Sequence, residues 1–182
     1  SARKLNCLFD QYIAADPTLL LKNPLVHKTG RLIPPYTGQR TAPAVPTFGS
    51  FGFATAKKGF EKIVTRVQDE FDEAVIRLNM PPADFGDNDG SKARRVADTC
   101  RALIQKPGIR LEVTHDFLED AALLNFLAGN SMNVFLYEDT GGRGISSALD
   151  NALAVQRPIA VSNCHMFRHV LALRPSVCVD RN

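Results

Sequence analysis

The sequence lacks the features of a membrane-spanning protein and of a disulfide-rich secreted one. No apolar run approaches the length of a membrane span, and the N-terminal stretch SARKLNCLFDQY contains no signal-peptide core. The four cysteines, Cys7, Cys100, Cys164 and Cys178, are scattered along the chain without CxxC spacing. Two of them lie in apolar surroundings. We therefore expect free thiols in a reducing compartment, which favours a cytoplasmic location.

An excess of charge of one sign is also missing. The formal net charge of the 182 residues is +3, with 22 Lys and Arg against 19 Asp and Glu. This balance argues against a nucleic-acid partner that is bound through many phosphate contacts, although a local basic pocket is compatible with it. We expect no transmembrane segment, and peripheral contact with a membrane stays open. The apolar fraction of 45% suffices for one globular core.

Two familiar nucleotide-binding motifs are absent. An NAD site would need G-x-G-x-x-G after the first strand and an acidic residue at the end of the second. Here Gly49 and Gly52 are spaced G-x-x-G, and the strand VIRLNM ends without an acid. The P-loop pattern G-x-x-x-x-G-K-[ST] does not occur. Cys164, His165 and His169 have a spacing that a metal could use, but no further ligand cluster accompanies them, so we expect no metal site.

The first part of the chain differs from the rest in composition. Residues 23–46, NPLVHKTGRLIPPYTGQRTAPAVP, contain five prolines and two glycines and show no helical or alternating period. Such a stretch is typical of an extended arm or an inter-domain connection. We assign residues 1–44 to an N-terminal arm and residues 45–182 to one domain.

After the arm, predicted strands alternate with predicted helices. Ser91 is the expected N-cap of the helix KARRVADTCRALIQ. Short apolar strands such as VFLY, IAVS and VCVD are typical of strands buried on both sides. The alternation predicts an α/β fold with a Rossmann-like parallel sheet flanked by helices on both faces. In KKGFEKIVTRVQDEF, five apolar residues form one helix face: Phe60, Ile63, Val64, Val67 and Phe71.

Two loops at the carboxyl ends of predicted strands carry residues suited to a nucleotide. In GSFGFATAKKGF, the two glycines allow close backbone approach, and Lys57 or Lys58 could meet a phosphate. A glycine turn with solvated lysines is the structural alternative. In THDFLED, His115 and Phe117 offer an edge and a stacking face to a base. Alternatively, Asp116 in that loop would serve as the N-cap of the following helix.

A third loop leads from an apolar strand through a glycine cluster into the helix ISSALDNALAVQ. Gly144 relaxes the backbone, and Ser146 and Ser147 lie in the predicted first turn. Free N–H groups and the helix dipole favour a diphosphate there. Asp150, one turn after Ser146, is placed to accept hydrogen bonds from ribose hydroxyls. Serine capping with a solvated Asp150 is the structural alternative.

Three segments, taken together, resemble the C-terminal, donor-binding domain of GT-B glycosyltransferases, near glycosyltransferase families 1 and 4. They are FGSFGFATAKKGF, FLEDAALLNFLAGNSMNVFLYE and GRGISSALDNALAVQRPIAVS, and the resemblance covers roughly residues 45–175. It implies a UDP- or GDP-linked nucleotide sugar as the partner and substrate, no cofactor, and a role in surface polysaccharide synthesis. It also implies that the N-terminal acceptor domain is absent from this chain, which would then be inactive alone.

The resemblance also implies site residues. It assigns the diphosphate to Gly52 and Lys58, the base to the stretch 115–118, and phosphate and ribose to the late helix. It assigns no catalytic residue. The candidate donor-binding residues are Gly49, Gly52, Lys58, His115, Phe117, Leu118, Glu138, Arg143, Gly144, Ile145, Ser146, Ser147 and Asp150.

The chain departs from the family pattern at two places, and these departures leave other functions open. The family's first-loop arginine aligns with Phe51 or Gly52, and its late glutamate pair falls on Asn151 and near Arg143 instead. Arg143 would supply a cation from the other side of the pocket, and Glu138 is the nearest upstream carboxylate. One alternative is a non-catalytic GT-B-like assembly module that has lost nucleotide binding. Another is a related GT-B enzyme such as a sugar epimerase, which would also need a second domain.

Overall fold

The computed structural model describes residues 9–83, 85–139, 141, 144–171 and, for their backbone, 176–178. The chain divides into two compact units, Ser1–Leu32 and Ile33–Asn182. The first unit contains two short strands that pair in parallel, β1 (Tyr12–Ala14) and β2 (Val26–Lys28). The division at residues 44 and 45 remains a prediction from the sequence.

The second unit alternates strands and helices along the chain. In chain order these are β3 (Thr47–Phe51), α1 (Phe60–Glu70), β4 (Ala74–Asn79), α2 (Ser91–Ala102), β5 (Ile109–Thr114), α3 (Asp120–Ala128), β6 (Met132–Phe135), α4 (Ala148–Ala154), β7 (Ile159–Val161), a 3-10 turn (His165–Phe167) and β8 (Ser176–Cys178). The six strands form one parallel sheet in the order β5-β4-β3-β6-β7-β8. The predicted α/β fold with a Rossmann-like parallel sheet is confirmed.

Helices cover both faces of this sheet because successive strand residues point to opposite sides. On β6, Val134 packs in the core with α1 and α2, whereas Phe135 packs with α4 and β7. None of the helices in the described part of the chain is long and apolar enough to cross a membrane. The apolar face predicted for α1 is confirmed, since four of its members are 5% exposed or less: Phe60, Ile63, Val64 and Val67.

The N-terminus of α2 is capped by the preceding loop. Ser91, predicted as its N-cap, is instead the first helical residue, after Gly90. The two carboxylate oxygens of Asp87 accept hydrogen bonds from the backbone N–H groups of Lys92, at 2.7 Å, and Ala93, at 3.0 Å. A carboxylate therefore already occupies the position at which a helix N-terminus would attract an anion.

Residues 36–40, within the second unit, contact two of its helices. The Tyr36 hydroxyl donates to Oδ1 of Asn125 in α3, at 3.1 Å. The Nε of Arg40 donates to the carbonyl oxygen of Val155, which caps the end of α4, at 2.9 Å. These side chains tie residues 36–40 to the helices on one side of the sheet.

We expect Gly59→Ala to lower the free energy of unfolding by about 2 kcal/mol or more. Gly59 caps α1 with φ 71°, and a Cβ there would collide with the carbonyl oxygen of Leu136, just beyond β6. Urea denaturation measures the effect. Gly144→Ala is the control, because no atom of the described residues lies within 4 Å of the position its Cβ would take. Equal losses in the two variants would contradict this account of Gly59.

Candidate functional site

The strand order reverses between β3 and β6, at the centre of the sheet. From β3 the chain moves outward to β4 and β5, and from β6 it moves outward to β7 and β8 on the other side. The loops after β3 and β6 both start at the carboxyl ends of the strands and lead toward opposite sides of the sheet. This divergence forms a crevice between the two loops. Ligands of open α/β sheets bind in this crevice, outside the carboxyl ends of the strands.

Lys58 is a cation at this crevice. It is half-buried, and its Nζ lies 4.0 Å from the centroid of the Tyr137 ring, two residues beyond β6. The same Nζ is 3.9 Å from the position that a Cβ of Gly52 would occupy. Gly52 has φ 136°, a conformation that residues with side chains rarely adopt. The structure thus brings the predicted pair Gly52 and Lys58 together, and adds Tyr137 from the other side.

Tyr137 was missed by the sequence reasoning, which took it as the last residue of a buried strand. Its ring is 3% exposed and packs against Phe167, with centroids 4.7 Å apart, and edge-on to Phe135. Its backbone carbonyl accepts a hydrogen bond of 2.5 Å from the Ser162 hydroxyl after β7. The ring is therefore rigidly held, and the cation–π contact fixes Lys58 in turn. An aromatic residue two positions past a strand is the signal that could have found it.

Glu138 lies at the rim of the crevice. Its backbone N–H donates to the carbonyl oxygen of Lys57 at 3.0 Å, which joins the loops after β3 and β6. Its carboxylate lies 3.9 Å from Nζ of Lys62, with both side chains nearly half exposed, so the ion pair contributes little. The Glu138 carbonyl accepts a weak hydrogen bond from the Cys164 thiol, whose pKa is raised by burial.

The loop after β5 is held by two residues at the end of β4. Buried Asn79 donates through Nδ2 to the hydroxyl of Thr114, at 2.9 Å, and to the carbonyl oxygen of Asp116, at 3.0 Å. Nδ1 of His115 donates to the carbonyl oxygen of Met80 at 2.8 Å. One nitrogen of the predicted base-binding histidine is thus committed to the backbone, and the loop has a fixed shape.

Phe117 and Leu118 line a small cavity in that loop. Its volume is about 180 Å³, and Gly52 and Asn79 form part of its wall. Phe117 is 68% exposed, so a face of its ring is open to stacking. The structural alternative for this loop is wrong, because the N-cap of α3 is Glu119 and not Asp116.

The late segment differs from the prediction at its serines. Helix α4 begins at Ala148 with Ser147 as its N-cap, so Ser146 precedes the helix. Ser146 is buried, and its N–H donates to the carbonyl oxygen of Met166 at 3.0 Å. The first turn therefore offers one amide fewer to a phosphate than the sequence suggested. The exposed Ser147 hydroxyl makes no capping hydrogen bond to its own helix.

The remaining late candidates lie around this helix start. Gly144 is exposed and Ile145 is half-buried. Asp150 is 5% exposed, so the alternative of a solvated Asp150 is wrong. Arg143, the predicted second cation, lies outside the described residues.

Gly49 has a structural explanation. It lies within β3, and a Cβ there would overlap the side-chain amide of Asn130. The buried Asn130 accepts a hydrogen bond of 2.9 Å from Nη1 of Arg77 and donates one of 2.8 Å to Oδ1 of Asn133. The glycine therefore makes room for a buried polar network, and ligand approach is not needed to account for it. Among the residues that the structure describes, no group of three or more His, Cys, Asp and Glu side chains could hold a metal.

Several solved structures of glycosyltransferases contain a domain with a similar fold. Alpha,alpha-trehalose-6-phosphate synthase from Burkholderia multivorans aligns with a TM-score of 0.51 and 11% identity, over 68% of this chain and 30% of that one. The trehalose-6-phosphate synthase OtsA gives 0.51 and 10%, over 68% and 30%. A TarM variant from S. aureus, in complex with Fondaparinux, alpha-GlcNAc-glycerol and UDP, gives 0.52 and 10%, over 80% and 27%. The chain has the fold of a GT-B glycosyltransferase domain.

The GT-B fold rests on the three-dimensional likeness alone. No protein-family model matches the sequence, and no curated protein matches it. The chain spans about 30% of the length of the solved trehalose-6-phosphate synthases, which is less than one whole GT-B enzyme. At identities of 10–11% the similarity to these structures shows the fold alone. It does not assign a role to any side chain of this protein.

We expect Tyr137→Phe to raise the free energy of unfolding by about 1 kcal/mol, because it removes a buried hydroxyl. No described residue makes a hydrogen bond to that hydroxyl. Tyr137→Ala should instead lower the free energy of unfolding by about 3–5 kcal/mol, the usual effect of deleting a buried aromatic ring. Urea denaturation of both variants measures the difference. A clear loss of stability in Tyr137→Phe would show that the hydroxyl is paired.

Proposed function

We propose that this chain binds the diphosphate of a nucleotide sugar and is the donor-binding part of a glycosyltransferase. The supporting observation is Lys58 at the crevice, with its Nζ between Gly52 and the Tyr137 ring. When the bond between sugar and diphosphate breaks, negative charge develops on the phosphate. A cation that is already held in place stabilises that charge without reorganisation.

In this proposal the base occupies the cavity of about 180 Å³ after β5. The exposed ring of Phe117 stacks on the base, while Nδ1 of His115 stays bound to the Met80 carbonyl oxygen. UDP is the first nucleotide to test, since the TarM structure holds UDP, and GDP is the second.

The α4 side of the crevice completes the proposed site. The Ser147 hydroxyl, which makes no capping bond, donates to a phosphate oxygen. We assign the ribose hydroxyls to Asp150 and a second cationic contact to Arg143. The acceptor and the catalytic base belong to a separate acceptor domain, as the GT-B resemblance implies, and surface polysaccharide synthesis in the cytoplasm remains the proposed setting.

A second candidate function is a GT-B-like assembly module that binds no nucleotide. Two observations favour it. The family's first-loop arginine aligns with Phe51 or Gly52, and the Ser146 N–H already donates to the Met166 carbonyl oxygen. Each removes one contact that a diphosphate would otherwise gain.

A thermal-shift titration with UDP, GDP, ADP, CMP and NAD separates these functions. A ligand at a hundred times its dissociation constant adds about 2.7 kcal/mol to the free energy of unfolding. We expect UDP or GDP to raise the melting temperature and NAD to leave it unchanged. No response to any of these ligands would favour the assembly module, and stabilisation by NAD alone would overturn both readings.

Lys58→Ala should weaken binding of the responding nucleotide by about 1–3 kcal/mol, the usual effect of losing a charge-assisted contact. Calorimetry measures this loss. The matched control is Arg66→Ala, which removes one positive charge from the exposed surface of α1, where Arg66 pairs with Asp69. Equal affinities in wild type and Lys58→Ala, or equal losses in the two variants, would remove Lys58 from the site.

A further inference from the structure

A larger cavity lies beside the loop that follows β3. Its volume is about 480 Å³, within the range of small-molecule sites. Three segments form its wall: the loop between β3 and α1 with the start of α1, the loop between β4 and α2, and the first three turns of α2. Lys58 is the one described candidate donor-binding residue that lines it, so it is distinct from the cavity at Phe117.

The wall of this cavity is rich in positive charge. No carboxylate of the described residues forms an ion pair with any of its cations, whereas Arg101, on the same helix as two of them, pairs with Asp98 at 2.8 Å. Unpaired cations around a concave surface focus a positive potential that attracts anions. The four cationic side chains of the wall are Lys57, Lys58, Lys92 and Arg95.

Two carboxylates of the described residues also line the cavity, Glu61 and Asp87. Asp87 uses both of its oxygens to bind the backbone N–H groups of Lys92 and Ala93, so its charge neutralises the positive end of α2. Glu61 lies in the first turn of α1, where it faces the positive end of that helix. Among the described residues of the wall, the four cations therefore outnumber the two carboxylates.

An aromatic pair forms the apolar part of the wall. Phe85 is 69% exposed, and its ring meets Phe53 edge to face, with centroids 5.1 Å apart and an interplanar angle of 82°. Gly86 has φ 99°, and a Cβ there would lie 3.5 Å from Nζ of Lys92. The Lys92 ammonium thus lies close to the backbone of the residue that follows Phe85.

Lys57 stands in a strained turn of the same wall. It has φ 72°, in the left-handed region, which costs a residue with a side chain about 1–2 kcal/mol. Its carbonyl oxygen accepts the Glu138 N–H at 3.0 Å, so the turn is locked by the loop after β6. Such strain concentrates at ligand sites, where the surrounding structure maintains it.

We infer that this cavity is a second ligand site, which takes a small phosphate monoester with a ring or another apolar group. Lys57, Lys92 and Arg95 bind the phosphate, and the guanidinium of Arg95 can do so through two parallel hydrogen bonds. The organic part lies against Phe53 and Phe85. This inference stands on the cavity's own residues and does not depend on the proposed donor function.

Calorimetry with phenyl phosphate, at constant ionic strength and on the full chain, tests the site. We expect saturable binding that weakens about tenfold or more in a Lys92→Gln and Arg95→Gln double variant. Both side chains are exposed, so the double variant should fold, and its melting curve verifies this. Arg101→Gln is the matched control, because it removes one charge from the same helix outside the cavity, and its affinity should equal that of wild type.

Two further measurements distinguish the class of ligand and the location. Phe85→Ala should weaken binding of phenyl phosphate but not of inorganic phosphate. Unchanged affinity for phenyl phosphate would contradict the inference that the ligand carries a ring or another apolar group.

Saturating UDP should leave phenyl phosphate bound, whereas displacement by UDP would place the probe at the donor crevice and overturn the second site. Absence of saturable binding, or equal losses in the double variant and in Arg101→Gln, would also overturn it. Binding of phenyl phosphate without any response to UDP would support this site while the donor function fails.

Discussion

The close contact between the start of α1 and the end of β6 is the constraint on which the rest of the site depends. Gly59 lets the backbone of the helix start approach the Leu136 carbonyl oxygen, where a side chain would collide with it. The hydrogen bond from the Glu138 N–H to the Lys57 carbonyl oxygen holds the same two loops together. Because both loops are fixed by backbone, Lys58 meets the Tyr137 ring from a defined direction. The cation is therefore positioned before any ligand arrives.

Side chains, more than helix N-termini, supply the positive charge at the carboxyl ends of the strands. The positive charge at the N-terminus of α2 is neutralised by Asp87. In the loop before α4, the backbone N–H of Ser146 donates to the Met166 carbonyl oxygen. What remains is a set of lysine and arginine side chains around the loop after β3. The attraction of these side chains for an anion falls as the salt concentration rises.

The fold was predictable from the sequence because burial repeats with a local period. The apolar face of α1 and the short strands buried on both sides both follow from neighbours within the chain. The site was predictable only in part, since Gly49 and Gly52 look alike in GSFGF. What separates them is Asn130, which lies far along the chain and fills the space above Gly49, whereas Gly52 has a backbone conformation that excludes a side chain. The burial of Asp150 likewise depends on tertiary contacts that no local pattern records.

The loop after β3 is the wall that the two cavities share. Phe53 lines both of them, and Lys58, farther along the same loop, lines the larger one while it contacts Tyr137 at the crevice. A ligand in the larger cavity that drew Lys58 away from the Tyr137 ring would weaken the contact proposed for the diphosphate, whereas a ligand held by Lys57, Lys92 and Arg95 leaves Lys58 in place. By thermodynamic linkage, the effect of the first ligand on the second equals the effect of the second on the first. The strained turn at Lys57, held by the Glu138 N–H, is the element that resists such a displacement. The geometry of this single turn therefore sets how far the two cavities act independently.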